Sequence, residues 1–165
     1  MQLTEPINQI LNHLEKIHSF NAKNPLEDTR KYLETMSLQL SRKKEPVAMI
    51  EELNIPLANH QIPVRIYRPK GKDIQNSSAI IYIHGGWFIA GSFETHDAVV
   101  RKLANKTGSV VIFVDYRLAP EHAFPAGLND CIDSVKWVAD HAESLGIDAN
   151  QIGIIGDSAG GALAT

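Results

Sequence analysis

The chain has 165 residues, 44% apolar and 21% charged, with 16 Lys and Arg against 19 Asp and Glu for a formal net charge of −3. That is ordinary globular composition, and with no basic run to neutralise a phosphate backbone or grip an anionic bilayer it argues against nucleic acid as a partner. No stretch reaches the roughly 18 apolar residues of a membrane span, the first twenty residues lack a signal peptide's basic start and apolar core, and the single Cys131 cannot form an internal disulfide. A cytoplasmic protein is therefore expected.

Ile7, Ile10, Leu11, Leu14 and Ile17 recur at helical spacing behind Thr4 and predict an amphipathic helix over residues 5–19. Asn24-Pro25-Leu26-Glu27 has the form of a capping box with proline in the first turn. The apolar stripe Tyr32, Leu33, Met36 and Leu40 extends this second helix to about Ser41 through Lys44. Residues 1–45 are expected to pack outside the main sheet as a cap, and 46–165 to form the core.

Residues 47–56 and 62–67 read as two strands joined by a polar turn around Asn59-His60-Gln61, and Arg68-Pro69-Lys70-Gly71 stops the second. Ala79 to Ile83 is an almost unbroken apolar run, as a strand buried on both faces requires. A helix over 96–106 ended by Gly108, a buried strand from Ser109 to Val114, a helix over 127–144 ended by Gly146 and a third buried strand from Ile152 to Ile155 follow. Alternation of strand and helix predicts an α/β fold with a mostly parallel sheet, preceded by an antiparallel hairpin.

Two segments carry chemistry. Gly156-Asp157-Ser158-Ala159-Gly160 has the form Gly-x-Ser-x-Gly between a strand and a helical start. Either a tight turn thrusts the Ser158 hydroxyl above the sheet as a nucleophile, or the turn is merely glycine-rich and the serine caps the helix. His84-Gly85-Gly86-Trp87-Phe88 also follows a buried strand, and its successive backbone N–H groups are placed to face an incoming carbonyl oxygen. Acyl transfer builds negative charge on that oxygen, and the remaining donor would be the N–H of Ala159.

With these motifs, and with Ser92, Thr95-His96, Val114-Asp115-Tyr116-Arg117-Leu118-Ala119-Pro120-Glu121-His122, Phe124-Pro125-Ala126 and Gly161 in order, the chain from about residue 79 resembles the hormone-sensitive-lipase-like family of α/β-hydrolases. The resemblance implies carboxylic ester substrates, an acyl-enzyme on Ser158, an oxyanion site framed by Gly85, Gly86, Trp87 and Ala159, and His84 as a support of the oxyanion loop. It also implies that the N-terminal helices belong to a cap over the acyl pocket. Trp87 departs from the small residue usual at its position, so it must either adopt an ordinary backbone conformation or be held strained.

Asp115 and Arg117 are read as structural, forming an internal ion pair. His96-Asp97 and Asp140-His141 lack the further ligand spacing of a zinc site, so no metal and no cofactor are expected. Only seven residues follow Ser158, none of them an acid or base, whereas the hydrolase order is Ser, Asp or Glu, His. The triad acid and base are thus expected to be missing from this chain, read as a truncated N-terminal part, with His96, His122 and His141 as ordinary loop or helix residues. The expected function is a serine carboxylesterase, inactive as this chain alone. A ligand-binding protein of the same fold and an inactive fragment are the alternatives. Besides a small ester, the expected partners are a missing C-terminal segment or a second copy of the chain.

Overall fold

The computed structural model describes residues 24–40, 44–71 and 75–165. The helix expected over 5–19 lies outside them. Helix α1, Pro25–Leu40, begins where proline's fixed φ suits a first helical turn. Asn24 accepts the Asp28 N–H on its carbonyl at 3.1 Å, and its side chain bonds Glu27.

Strands β1, Met49–Pro56, and β2, Gln61–Arg68, pair antiparallel with Ile55 opposite Ile62, as the hairpin reading requires. Then come β3, Ser77–Ile83; helix α2, Phe93–Thr107; β4, Val110–Val114; helices α3, Ala126–Asp140, and α4, Ala142–Leu145; β5, Ile147–Gly156; and α5, Ala159–Leu163. The sheet order is β1-β2-β4-β3-β5, with β4, β3 and β5 parallel and the hairpin antiparallel to them. This is an α/β-hydrolase arrangement.

Side chains alternate along β4, which is buried throughout. Val110, Ile112 and Val114 join Ile81, Ile83 and Val64 against Cys131 and Val138 of α3, whereas Val111 and Phe113 join Tyr67 and Tyr82 against Val100 and Ala104 of α2. The centre of the sheet is thus fixed from both faces, and the parallel strand ends that leave it are held in register.

Besides shifts of one or two residues at other element ends, three boundaries differ from expectation. Helix α2 starts at Phe93, because Ser92 and Thr95 form a reciprocal capping box ahead of the apolar pattern. The helix expected over 127–144 is broken at His141, whose φ of −107° and ψ of 14° are not helical. Strand β5 begins five residues early, at Ile147, and is not a buried strand: Ile154 and Ile155 are 44% and 42% exposed. It pairs on one side only, with β3, so its apolar residues meet water where those of β4 meet a neighbouring strand.

Candidate active site

Ile83 pairs in parallel with both Val114 and Gly156, so the chain leaves three neighbouring strands together: β3 into His84, β4 into Asp115 and β5 into Asp157-Ser158. The carboxyl edge of such a sheet is where an open α/β fold leaves room for a ligand.

Ser158 has φ 50° and ψ −118°, a conformation that costs a residue with a Cβ on the order of 1 to 3 kcal/mol. Its side chain makes no capping bond to α5, which removes the reading of a serine that merely caps a helix. The turn is tight enough that a Cβ on Gly160 would sit 2.1 Å from the Ile83 carbonyl oxygen, and one on Gly156 2.2 Å from that of Gly160. Both flanking glycines are therefore required by close backbone approach.

The loop after β3 is held by its surroundings. The His84 ring is fully buried and stacks on Tyr116 at 4.3 Å, and the Tyr116 hydroxyl donates to the His84 carbonyl at 2.7 Å. Burial pushes the His84 imidazole down to about 4, so it is neutral near pH 7. Its Nδ1–H donates to the Gly85 carbonyl at 2.8 Å, and Nε2 has no partner among the described residues. Gly91 lies against this ring so closely that a Cβ would meet Nδ1 at 2.1 Å. His84 thus touches the loop after β3 from within the core and makes no hydrogen bond to Ser158.

Asp157, the residue before Ser158, ties the two motifs together. Its Oδ1 accepts from the Tyr82 hydroxyl at 2.7 Å and from the Gly85 N–H at 3.0 Å, with His96 Nε2 at 3.5 Å. Burial works to raise this carboxyl, but the Tyr82 hydroxyl, the His96 ring and the Gly85 N–H outweigh it and hold Asp157 below the usual range. The Gly85 N–H is thereby spent on Asp157. The N–H groups of Gly86, Trp87 and Ala159 have no acceptor among the described residues and remain open.

Trp87 and Phe88 have φ of 54° and 63°, so of the two conformations open to Trp87 the structure holds the strained one. The indole is 62% exposed. A cavity of about 470 Å³ opens here, lined by Leu33 and Met36 of α1 and by Trp87, His96, Asp157 and Ser158.

His96 therefore stands at the site instead of being an ordinary helix residue, and its Nδ1 is 2.7 Å from the Thr95 hydroxyl. Its Nε2 faces Asp157, and it makes no hydrogen bond to Ser158. His122 lines a second cavity of about 480 Å³ on the far side of Trp87 and Phe88, and His141 stacks on Trp137 at 4.1 Å. The expected Asp115–Arg117 ion pair does not form: Arg117 grips the buried Asp130 bidentately at 2.8 and 2.9 Å, with His60 Nε2 also 2.9 Å from that carboxylate. Asp115 is instead pushed up to about 6 by burial, opposed by the more distant Arg65. Among the described residues no group of three or more His, Cys, Asp or Glu is placed to hold a metal, and no helix is long and apolar enough to cross a membrane.

Sequence reasoning gave no role to Asp157, Tyr82 or Tyr116. The signal for the tyrosines was present, since a phenol in an apolar strand, like Tyr82, or just beyond one, like Tyr116, must find a partner for its hydroxyl if it is buried. For Asp157 there was none beyond its place in the motif.

A family profile for the alpha/beta hydrolase fold matches residues 80–165. The ethyl acetate hydrolase of Pseudomonas putida is 38% identical over 141 residues, which are 84% of this chain and 44% of that protein. An arylesterase of Saccharolobus solfataricus is 43% identical over 120 residues, covering 73% of this chain and 39% of its own length. Among solved structures, a hyperthermophilic esterase from the archaeon Pyrobaculum calidifontis superposes with a TM-score of 0.87 at 44% identity, over 99% of this chain and 52% of that one. The chain thus spans about half the length of the relatives it matches.

Proposed function

We propose, for a chain that belongs to the hormone-sensitive-lipase-like family of α/β-hydrolases, that the whole protein is a carboxylic ester hydrolase acting through a serine acyl-enzyme. The observation that supports this reading is the strained backbone of Ser158, which lines a cavity together with Gly86 and Trp87, two residues whose N–H groups are open. Strain of this kind persists only where surrounding structure over-determines it.

In the proposed reaction the Ser158 Oγ attacks the ester carbonyl carbon, and a base takes its proton. The carbonyl oxygen becomes an oxyanion held by the N–H groups of Gly86, Trp87 and Ala159, with Gly85 framing the site through Asp157. Collapse expels the alcohol, which leaves with the proton, and water then releases the acid by the same steps in reverse order. The base and its orienting carboxylate are not among the described residues, since the hydroxyl of Ser158 has no partner there and His84 and His96 are otherwise engaged.

Helix α1 acts in this reading as part of a cap and supplies Leu33 and Met36 to one wall of the cavity. The substrate is a small carboxylic ester. Cys131 is a buried free thiol, which suits a reducing cytoplasm. The test is hydrolysis of a short-chain p-nitrophenyl ester by the whole protein. Ser158→Ala is expected to lower the rate by several powers of ten, and retained activity in that variant refutes Ser158 as nucleophile.

A further inference from the structure

We infer that Arg30, on helix α1, is a positioning residue for the oxyanion loop, an inference that rests on the ester-hydrolase reading of that loop. Its guanidinium reaches three acceptors on two separate segments. Nε donates to the Ile89 carbonyl at 2.7 Å, Nη2 to the Ala119 carbonyl at 3.1 Å, and Nη1 and Nη2 grip the Glu121 carboxylate at 2.7 and 2.8 Å. The two segments are already joined to each other, because the Ala119 N–H donates to the Phe88 carbonyl at 2.9 Å.

The position of these bonds gives them their meaning. Trp87 and Phe88 hold positive φ, and Trp87 carries one of the open N–H groups. Left to itself, such a pair relaxes toward ordinary φ and turns that N–H away. On the inner side the loop is fixed by Asp157 at Gly85 and by the buried His84 ring. On the outer side its carbonyls are fixed at Phe88 by Ala119 and at Ile89 by Arg30. The strained residues lie between these anchors.

Only a planar fork with several donors spans both segments at once, so lysine cannot replace it. Glu121 lies on the outer side of the fork. Its carboxylate is held down to about 2 by the bonds from Arg30, and it orients the guanidinium without touching the loop itself. The arrangement also makes α1 part of the oxyanion machinery: a displacement of this helix withdraws Arg30 from Ile89 and Ala119 together.

The experiment compares wild type with Arg30→Lys, Arg30→Ala and Glu121→Gln. In the ¹⁵N-labelled chain, hydrogen exchange at the Ala119 amide is expected to accelerate about tenfold or more in both Arg30 variants, and the Trp87 backbone N–H signal to move. In Glu121→Gln both stay near wild type. In the whole protein, Arg30→Lys is expected to lower kcat for a p-nitrophenyl ester about tenfold with KM within twofold. An Ala119 exchange rate and a Trp87 signal unchanged in Arg30→Lys overturn the inference, as does a loss confined to KM, which would make Arg30 a wall of the cavity only. If Arg30→Ala fails to fold, Arg30→Lys carries the comparison. If the whole protein hydrolyses no ester while the exchange and signal changes appear, the ester reading fails and the loop contact stands.

Discussion

The two sides of the site are built to different degrees. The loop proposed as the oxyanion side is held at five points: Tyr116 on the His84 carbonyl, His84 on Gly85, Asp157 on the Gly85 N–H, Ala119 on Phe88 and Arg30 on Ile89. The nucleophile side has the strained turn of Ser158 and two glycines that allow it, but no base at its hydroxyl among the described residues. Holding donors still is work for fixed partners, and these come from the loops after β3, β4 and β5 and from α1. Activating a hydroxyl needs a titratable pair at one point in space, and nothing in β5 or α5 supplies it.

Asp157 joins the two sides, so among substitutions that keep Ser158 its removal has the largest expected effect. Asp157→Ala deprives the Gly85 N–H and the Tyr82 hydroxyl of their acceptor, and each buried group left unpaired costs about 1 to 3 kcal/mol. Loosening of the loop is expected to reduce kcat in the whole protein by about a hundredfold, the scale of a lost oxyanion donor. An activity within threefold of wild type would show that the oxyanion side stands without the nucleophile side.

A smaller effect comes from pH. His84 titrates at about 4 in the folded protein against an ordinary 6.5, so the unfolded chain binds more protons between those values and stability rises with pH across them. Asp115 titrates at about 6 against 3.8, so the folded chain holds the extra proton and stability falls as pH rises from 4 to 6. The two slopes oppose each other in the window from 4 to 6. Asp115→Asn removes the second and is expected to uncover a gain of about 2 kcal/mol between pH 4 and 6.5, read from urea midpoints. A flat profile in that variant would mean that the His84 ring is not shielded as the oxyanion side requires.

Trp87→Gly tests the smallest effect. It keeps the backbone donor and relieves a positive φ of 54°, so kcat in the whole protein is expected to stay within tenfold while acyl-chain preference changes with the widened cavity. A hundredfold loss would show that the indole itself is needed to hold the loop.

The order of elements and the placement of both motifs at strand ends were legible because buried strands announce themselves as apolar runs and glycines mark the turns that follow. Ser158 and the loop at 84–88 could be located on that basis. What was not legible depended on pairing across space. The partner of Arg117 proved to be Asp130, thirteen residues on, because α3 returns over the loop. His96 was read as an ordinary helix residue, since its approach to Asp157 depends on how α2 packs against β2 and β4. The start of α2 at Phe93 was masked by a cap made of Ser92 and Thr95, which carries no apolar signal.

The contrast between a completed oxyanion side and an unactivated serine can be tested directly by treating the 165-residue chain with a fluorophosphonate and weighing the intact protein. Such a probe reacts at a serine only when a base has made it nucleophilic, and oxyanion donors alone leave at most weak residual reactivity. The chain is expected to stay nearly unlabelled, whereas the whole protein takes one adduct at Ser158. Stoichiometric labelling of Ser158 in the 165-residue chain would contradict this, and would assign the base to a histidine of this chain, with His96 the first to be substituted.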